Sequence, residues 1–196
     1  KVILDSLKAH PEWSDQIVSF LWALDVTDIF RIQVIRNDKG LETVGISHCF
    51  VNAKGTEAYG QTFMNESLSL RRLILIAVSF FEAFSKEKII VIDDFGQLLH
   101  PYVLTHIVEI FHANDMESQL IVVDCNPALL QKDLMRKDSI WFAEKGEESS
   151  TEFVSLSDFR GIKAKQSIYD GYLQGIFGAL PIESDFCFQN KVKENN

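Results

Sequence analysis

Residues 88–101 read KIIVIDDFGQLLHP, and this stretch decides the fold. An apolar, β-branched run ends in two adjacent carboxylates, Asp93 and Asp94, and His100-Pro101 then opens a helical pattern. Such a run predicts a buried strand, and proline is well tolerated in the first turn of a helix. In open α/β sheets, ligands collect beyond the carboxyl ends of the strands. Both acids are therefore candidate site residues.

The composition limits the class of protein. The chain has 196 residues, of which 46% are hydrophobic, enough for a substantial core in one domain or in part of a larger one. Its net charge of -9 disfavours a broad nucleic-acid or anionic-membrane surface. No apolar stretch reaches the length of a membrane span, and no signal peptide is visible. Cys49, Cys125 and Cys187 form no C-x-x-C pair, which indicates reduced thiols and a cytoplasmic location.

Helical and extended patterns alternate along the chain. Residues 12–25 and 68–84 have apolar side chains at helical spacing, and the second helix is apolar nearly all round, which predicts burial against a sheet. Residues 30–34 and 41–51 predict a small antiparallel pair, followed by a loop or short hairpin at 52–66. We expect further strands at 88–93, 119–124, 139–145 and 151–156, and a helix at 101–113. This alternation predicts an α/β fold with a mostly parallel sheet flanked by helices.

Several short motifs follow one another in a fixed order. They are ESLSLRRL at 66–73, VIDDFGQLLHP at 91–101, QLIVVDCN at 119–126, SIWFAEK at 139–145, SLSDF at 155–159 and YLQGIFGALP at 172–181. This order resembles the ABC-type, AAA-family ATPase heads of abortive-infection and other phage-defence systems, which are related to overcoming-lysogenization-defect and SMC-like proteins. Members of that family carry E-S-x-G-T-x-R-L, then apolar-I-D-E-x-D-x-S-L-H-P, then Q-L-I-x-T-T-H-D. The resemblance runs from residue 29 to residue 181.

The resemblance implies the fold of a P-loop NTPase, an ABC-ATPase-like lobe, and a site for MgATP. In such heads two copies meet head to tail with ATP between them. Asp93 matches the Walker B acid that holds Mg²⁺ through water, and Asp94 matches the catalytic position that polarises the attacking water. Ser67 matches the signature serine that reaches the γ-phosphate across the dimer, and Arg72 matches the signature basic residue. Taken alone, the acids also suit a turn and the serine a helix N-cap.

Several positions depart from the family pattern. Asp94 replaces a glutamate and is one methylene shorter, which draws its charge back from the water. Ser69 and Leu70 replace a signature glycine and threonine, and a side chain at position 69 weakens the backbone cradle for phosphate. Gly96 replaces an acid. Cys125 replaces the switch histidine that contacts the nucleotide, and we expect it to be a buried, inert thiol.

No Walker A sequence, G-x-x-x-x-G-K-S/T, occurs in the 196 residues. In the family this loop lies in an N-terminal lobe, so we expect the chain to be the C-terminal half of a head. Residues 1–66 would form an N-terminal helix and antiparallel segment, 67–188 the ATPase lobe, and 189–196 a polar tail. Without the loop, ATP and Mg²⁺ bind this chain alone poorly.

Three functions are open. The first is an active defence ATPase whose P-loop lies on another segment or on a partner chain. The second is a non-hydrolysing pseudo-ATPase, a scaffold or nucleotide sensor for a toxin or nuclease partner. The substitutions at the catalytic positions favour this second function over active hydrolysis. The third is an unrelated α/β interaction domain, which the tail motifs disfavour. The assembly would be a head-to-tail homodimer or a pair with a P-loop-bearing chain, without membrane contact, and Arg160, Lys163 and Lys165 argue only weakly for nucleic acid.

Overall fold

The computed structural model describes residues 1–36, 38–114, 117–131, 133–146, 148, 150–160 and 167–181. One unit spans Lys1–Leu129 and a second begins at Leu130. The helices are α1 (Val2–Ala9), α2 (Trp13–Ala23), α3 (Leu68–Lys86), α4 (Pro101–Ala113) and α5 (Ile168–Leu173), and the strands are β1 (Ile29–Arg36), β2 (Glu42–Asn52), β3 (Gly55–Thr62), β4 (Ile89–Ile92), β5 (Gln119–Val122), β6 (Trp141–Lys145) and β7 (Thr151–Ser155). The predicted tail at 189–196, together with Cys187, Lys163 and Lys165, lies outside the described residues.

The first unit contains an antiparallel sheet in the order β1-β2-β3. The antiparallel pair predicted at its start is confirmed, and the segment left open as a loop or hairpin is a full third strand. The hairpin between β2 and β3 closes with Asn52 opposite Gly55, whose φ of 122° favours glycine. One face of the sheet is buried through Ile32 and Ile46, as the alternation of apolar residues requires.

Helix α3 is the core of the first unit. Phe80 lies edge-on to Phe20 of α2, with ring centroids 6.3 Å apart, and to Phe111 of α4, at 5.2 Å. The helix is not buried all round, because Leu75 is 43% exposed. Helix α4 begins as predicted, with the Nδ1 of His100 accepting the backbone N–H of Tyr102 at its N-cap. Of the helices that the structure describes, none is both long enough and apolar enough to cross a membrane.

Strands β4 and β5 form a parallel pair, in register from Ile89 opposite Gln119 to Ile92 opposite Val122. One face of the pair is partly buried. The opposite face exposes apolar side chains from both strands and their extension: Ile89, Val91, Ile121 and Val123. We call these residues the open β4–β5 face. Parallel sheets usually have both faces covered, so an exposed apolar face is unusual for the described part of this sheet.

The prediction of a mostly parallel sheet is wrong for the described residues, where β4 and β5 are the one parallel pair. In the second unit, β6 and β7 pair antiparallel, with Trp141 opposite Ser155 and Lys145 opposite Thr151. The physical reason is the length of the connection. Only the short segment 146–150 links the two strands, whereas a parallel crossover needs a dozen or more residues.

The second unit has its own apolar core. It consists of Ile140, Phe142, Leu156 and Phe177. The rings of Phe142 and Phe177 stack with centroids 5.3 Å apart, so the predicted tail motif around Phe177 packs onto the β6–β7 hairpin. The division predicted at residues 66 and 67 stays a prediction.

Candidate functional site

Asp93 and Asp94 directly follow β4 at the carboxyl end of the parallel pair, and both are exposed. The Oδ1 of Asp93 accepts the backbone N–H of Asp94 at 3.0 Å, which orients the Asp93 carboxylate beyond the strand. The two acids therefore lie where ligands bind in open α/β sheets, as the sequence predicted.

The backbone of Asp94 has a positive φ of 48°. Among residues with a side chain, aspartate and asparagine adopt this left-handed conformation most readily, since their short polar side chains bond locally. A glutamate is less suited to it. The conformation thus gives a physical reason for aspartate at a position where the family pattern has glutamate.

Arg72, in the first turns of α3, holds the loop that follows β4. Its guanidinium donates to the backbone oxygen of Asp93 at 3.2 Å, to that of Phe95 at 3.4 Å, and to that of Asp94. Three successive carbonyl groups are therefore bound by one side chain. We call this contact the Arg72 clamp. It places a positive charge directly behind the two acids.

The two serines predicted from the signature lie at the start of α3. The Ser67 hydroxyl oxygen accepts the backbone N–H of Leu70 at 3.2 Å and caps α3. The Ser69 hydroxyl donates to the carbonyl oxygen of Leu98 at 2.9 Å. Leu98 has a φ of 65°, so the loop after the acids turns sharply at the point where α3 holds it. The structure thus brings Ser69 and the Arg72 clamp together with the acidic strand end.

Cys125, predicted to be a buried thiol at the switch position, is exposed. The strand-like segment ends before it: Val123 makes the last backbone bond to β4, donating to Ile92 at 3.0 Å. The chain then turns outward, because the Asp124 carboxylate accepts the backbone N–H of Asn126 at 2.7 Å. The prediction failed because local hydrophobicity does not show where a strand leaves the sheet.

Asp124 was not predicted as a site residue. Its Oδ2 accepts the backbone N–H of Gly96, which ties the end of β5 to the loop after β4. A Cβ at Gly96 would lie 2.7 Å from that oxygen and 2.9 Å from Leu104 Cδ2. Asp124 therefore occupies the space that an acid at position 96 would need. The available signal was an acid directly following the apolar strand parallel to β4.

The arginine next to Arg72 on α3 points elsewhere. Arg71 donates to the carbonyl oxygen of Met64 at 3.5 Å and lies over the ring of Phe63, 6.0 Å from its centroid. Within the described ranges, no three or more His, Cys, Asp or Glu side chains cluster as a metal site. An all-protein metal cage is therefore not part of the described structure.

Replacing Arg72 with glutamine removes the clamp. A hydrogen bond from a charged donor contributes about 1.5–3 kcal/mol, so we expect amide exchange across residues 93–98 to rise at least about tenfold. Hydrogen exchange with mass spectrometry measures this. Arg71→Gln, one residue away on the same helix, is the matched control and should leave that segment unchanged. Equal exchange in the two variants would show that the clamp does not hold the loop.

Comparison with known proteins adds one finding. No protein-family model matches the sequence, and no curated protein matches it. A solved structure from work on the structural biochemistry of ATP-driven dimerization and DNA stimulated activation of SMC ATPases is similar, with a TM-score of 0.53 and 13% sequence identity. The match covers 76% of this chain and 86% of that chain. At this identity the likeness shows the fold alone: over the matched part, this chain shares the fold of that SMC ATPase structure.

Proposed function

We propose that this chain is the C-terminal lobe of an ABC-type ATPase that holds MgATP at the carboxyl edge of β4 and β5. The observation that carries the proposal is the pair of exposed acids at the carboxyl end of β4, in a loop that the signature segment of the same chain holds in place. Arg72 donates to the backbone of Asp93, and Ser69 donates to Leu98 in the loop that follows. The fold likeness to a structure studied for ATP-driven dimerization supports the same reading.

The residues present fit half of a magnesium site. Mg²⁺ prefers oxygen ligands, keeps several waters and is typically bound through one or two carboxylates plus substrate phosphates. Asp93 offers one exposed carboxylate whose orientation its neighbour's N–H fixes. The hydroxyl ligand of a Walker A loop would come from another segment. Bound there, the metal would neutralise charge on the phosphates, while Asp94 would orient the attacking water.

Ser67 can serve the helix and a nucleotide together. A hydroxyl has two lone pairs and one proton. One lone pair accepts the N–H of Leu70, which leaves the proton for a phosphate oxygen of a second copy. The N-terminus of α3 adds a favourable dipole for an anion. A head-to-tail homodimer would bring these groups to the nucleotide.

We infer that the P-loop-bearing segment docks on the open β4–β5 face. A parallel pair exposing Ile89, Val91 and Ile121 on one side requires a covering layer. In the proposed head, the segment that carries the Walker A loop supplies that layer and brings the loop to the same strand ends as Asp93. This segment belongs either to the same polypeptide or to a partner chain.

Val91→Lys should separate that segment from this lobe, because a charge would be buried at the contact. Val91 is 66% exposed, so the lobe itself should fold unchanged. After limited proteolysis of protein purified from its native cells, a G-x-x-x-x-G-K-S/T peptide should co-elute with the wild-type lobe and dissociate from the variant. Val51→Lys, at an 80% exposed site on β2, is the control. A second copy of this lobe on the face, or unchanged co-elution, would refute the docking.

The alternative is a pseudo-ATPase that binds nucleotide and signals to a toxin or nuclease without hydrolysis. Two features favour this loss of hydrolysis. They are the left-handed backbone at Asp94 and the exposed thiol of Cys125 in place of a histidine. The role in phage defence, the cytoplasmic location and the effector rest on the motif resemblance. With a net charge of -9, contact with nucleic acid would come through the assembly.

Asp94→Glu separates the two functions. The longer side chain places its carboxylate closer to an attacking water, while the positive φ strains the backbone by about 1–2 kcal/mol. We expect ATP turnover of the protein, as encoded by its gene, to rise about tenfold, which is less than the full contribution of about 10²–10⁴-fold from a positioned general base, because aspartate already supplies part of it. Asp15→Glu on α2 is the control. If the wild type and both variants bind nucleotide without turnover, the nucleotide sensor is supported instead. Equal turnover in the wild type and Asp94→Glu would show that aspartate suffices as the catalytic acid.

A further inference from the structure

A buried histidine lies between two carboxylates beside the signature segment. His48, on β2, is 4% exposed. Its Nδ1 lies 2.7 Å from Asp28 Oδ2, and its Nε2 lies 2.8 Å from Glu66 Oε1. Carboxylate oxygens only accept hydrogen bonds, so both ring nitrogens must donate. With both acids ionised, this geometry corresponds to the doubly protonated imidazolium.

The surroundings stabilise this charged form. Burial disfavours the imidazolium, but the hydrogen bonds to Asp28 and Glu66 outweigh it and raise the pKa of His48 above its ordinary value. The titratable groups that face the ring come from each neighbouring element: Asp28 before β1, Glu66 before α3, and the phenol of Tyr59 on β3. The Tyr59 ring stacks on the imidazole at 4.8 Å between centroids and 5° between planes.

Glu66 connects this cluster to the proposed site. It is 8% exposed and directly precedes Ser67. Its backbone N–H donates to Phe63 at 3.3 Å, so both its main chain and its side chain are fixed. The residue before the N-cap of α3, Glu66, is therefore hydrogen-bonded through His48 to the antiparallel sheet. The position of the Ser67 hydroxyl depends on that attachment.

We propose that His48 and Glu66 are positioning residues for Ser67, and that the imidazolium clamp loosens as pH rises. The proposal rests on the proposed role of Ser67 toward a phosphate. A neutral ring has one N–H, so it can donate to Asp28 or to Glu66 but not to both. Because the folded protein raises the pKa of His48, the clamp is complete below the ordinary histidine pKa. It is lost as pH rises through the folded value.

The experiment is a pH titration of the whole chain by ¹⁵N–¹H NMR, without nucleotide. The Leu70 amide reports the Ser67 cap directly, since it donates to the Ser67 hydroxyl. We expect its chemical shift to change with the same midpoint as the His48 ring, above the ordinary histidine value. His48→Gln should abolish that transition, and Glu66→Gln should lower the midpoint. His106→Gln is the control, because His106 pairs with Glu109 at an exposed site on α4.

The outcomes are distinct. If the chemical shift of the Leu70 amide stays constant while His48 titrates, the proposed link from His48 to Ser67 is overturned. Asp28→Asn, at a half-exposed carboxylate, tests the same link should His48→Gln fail to fold: it should lower the His48 midpoint, and an unchanged midpoint would count against the clamp. A second series measures the MgATP affinity of the protein, as encoded by its gene, against pH, and the decline in affinity should share the NMR midpoint. An NMR transition without any MgATP binding would instead refute the proposed function.

Discussion

The Arg72 clamp is the contact on which the candidate site depends. One guanidinium binds three successive carbonyl groups at the end of β4, where the backbone turns through left-handed conformations at Asp94 and Leu98. Such a loop is not a stable structure by itself, because these conformations are unfavourable for residues with a side chain. Arg72 compensates with charge-assisted hydrogen bonds and offsets the negative charge of two adjacent acids. The buried helix α3 thereby fixes where the acids lie.

Local patterns predicted most elements because their causes are local. The helix at 101–113 was predicted with its observed bounds, since a proline at its start and an apolar stripe are both legible in sequence. Helix α1 was not predicted, although Ile3 and Leu7 are buried in it, because about two turns of apolar spacing are a weak signal. More strands were predicted to be parallel than the structure shows. Strand pairing is a non-local property, and apolar strands suit either direction.

The candidate site could be predicted from the sequence only in part. The motif order predicted Asp93, Ser69 and Arg72 as site residues, with the signature facing the acids of a second copy. The contacts by which Ser69 and Arg72 hold the loop around Asp93 within one chain were not predicted. The motif order could not show that Asp124 takes the space beside Gly96, since that is a contact between distant chain positions. The histidine cluster was equally hidden, because its three residues come from separate elements and no sequence spacing connects them. The exposure of Cys125 depends on where β5 leaves the sheet, which side-chain type does not determine.

The central claim is that the strand-end acids form a site for MgATP once a P-loop is present. The most direct measurement is calorimetric titration of the protein, as encoded by its gene, with ATP, with and without Mg²⁺. It would compare the wild type with Asp93→Ala. The account predicts Mg²⁺-dependent binding in the wild type and an affinity at least about tenfold lower in the variant, since a hard metal ion would lose its protein carboxylate. Equal affinities in the two proteins, or no binding in either, would contradict it.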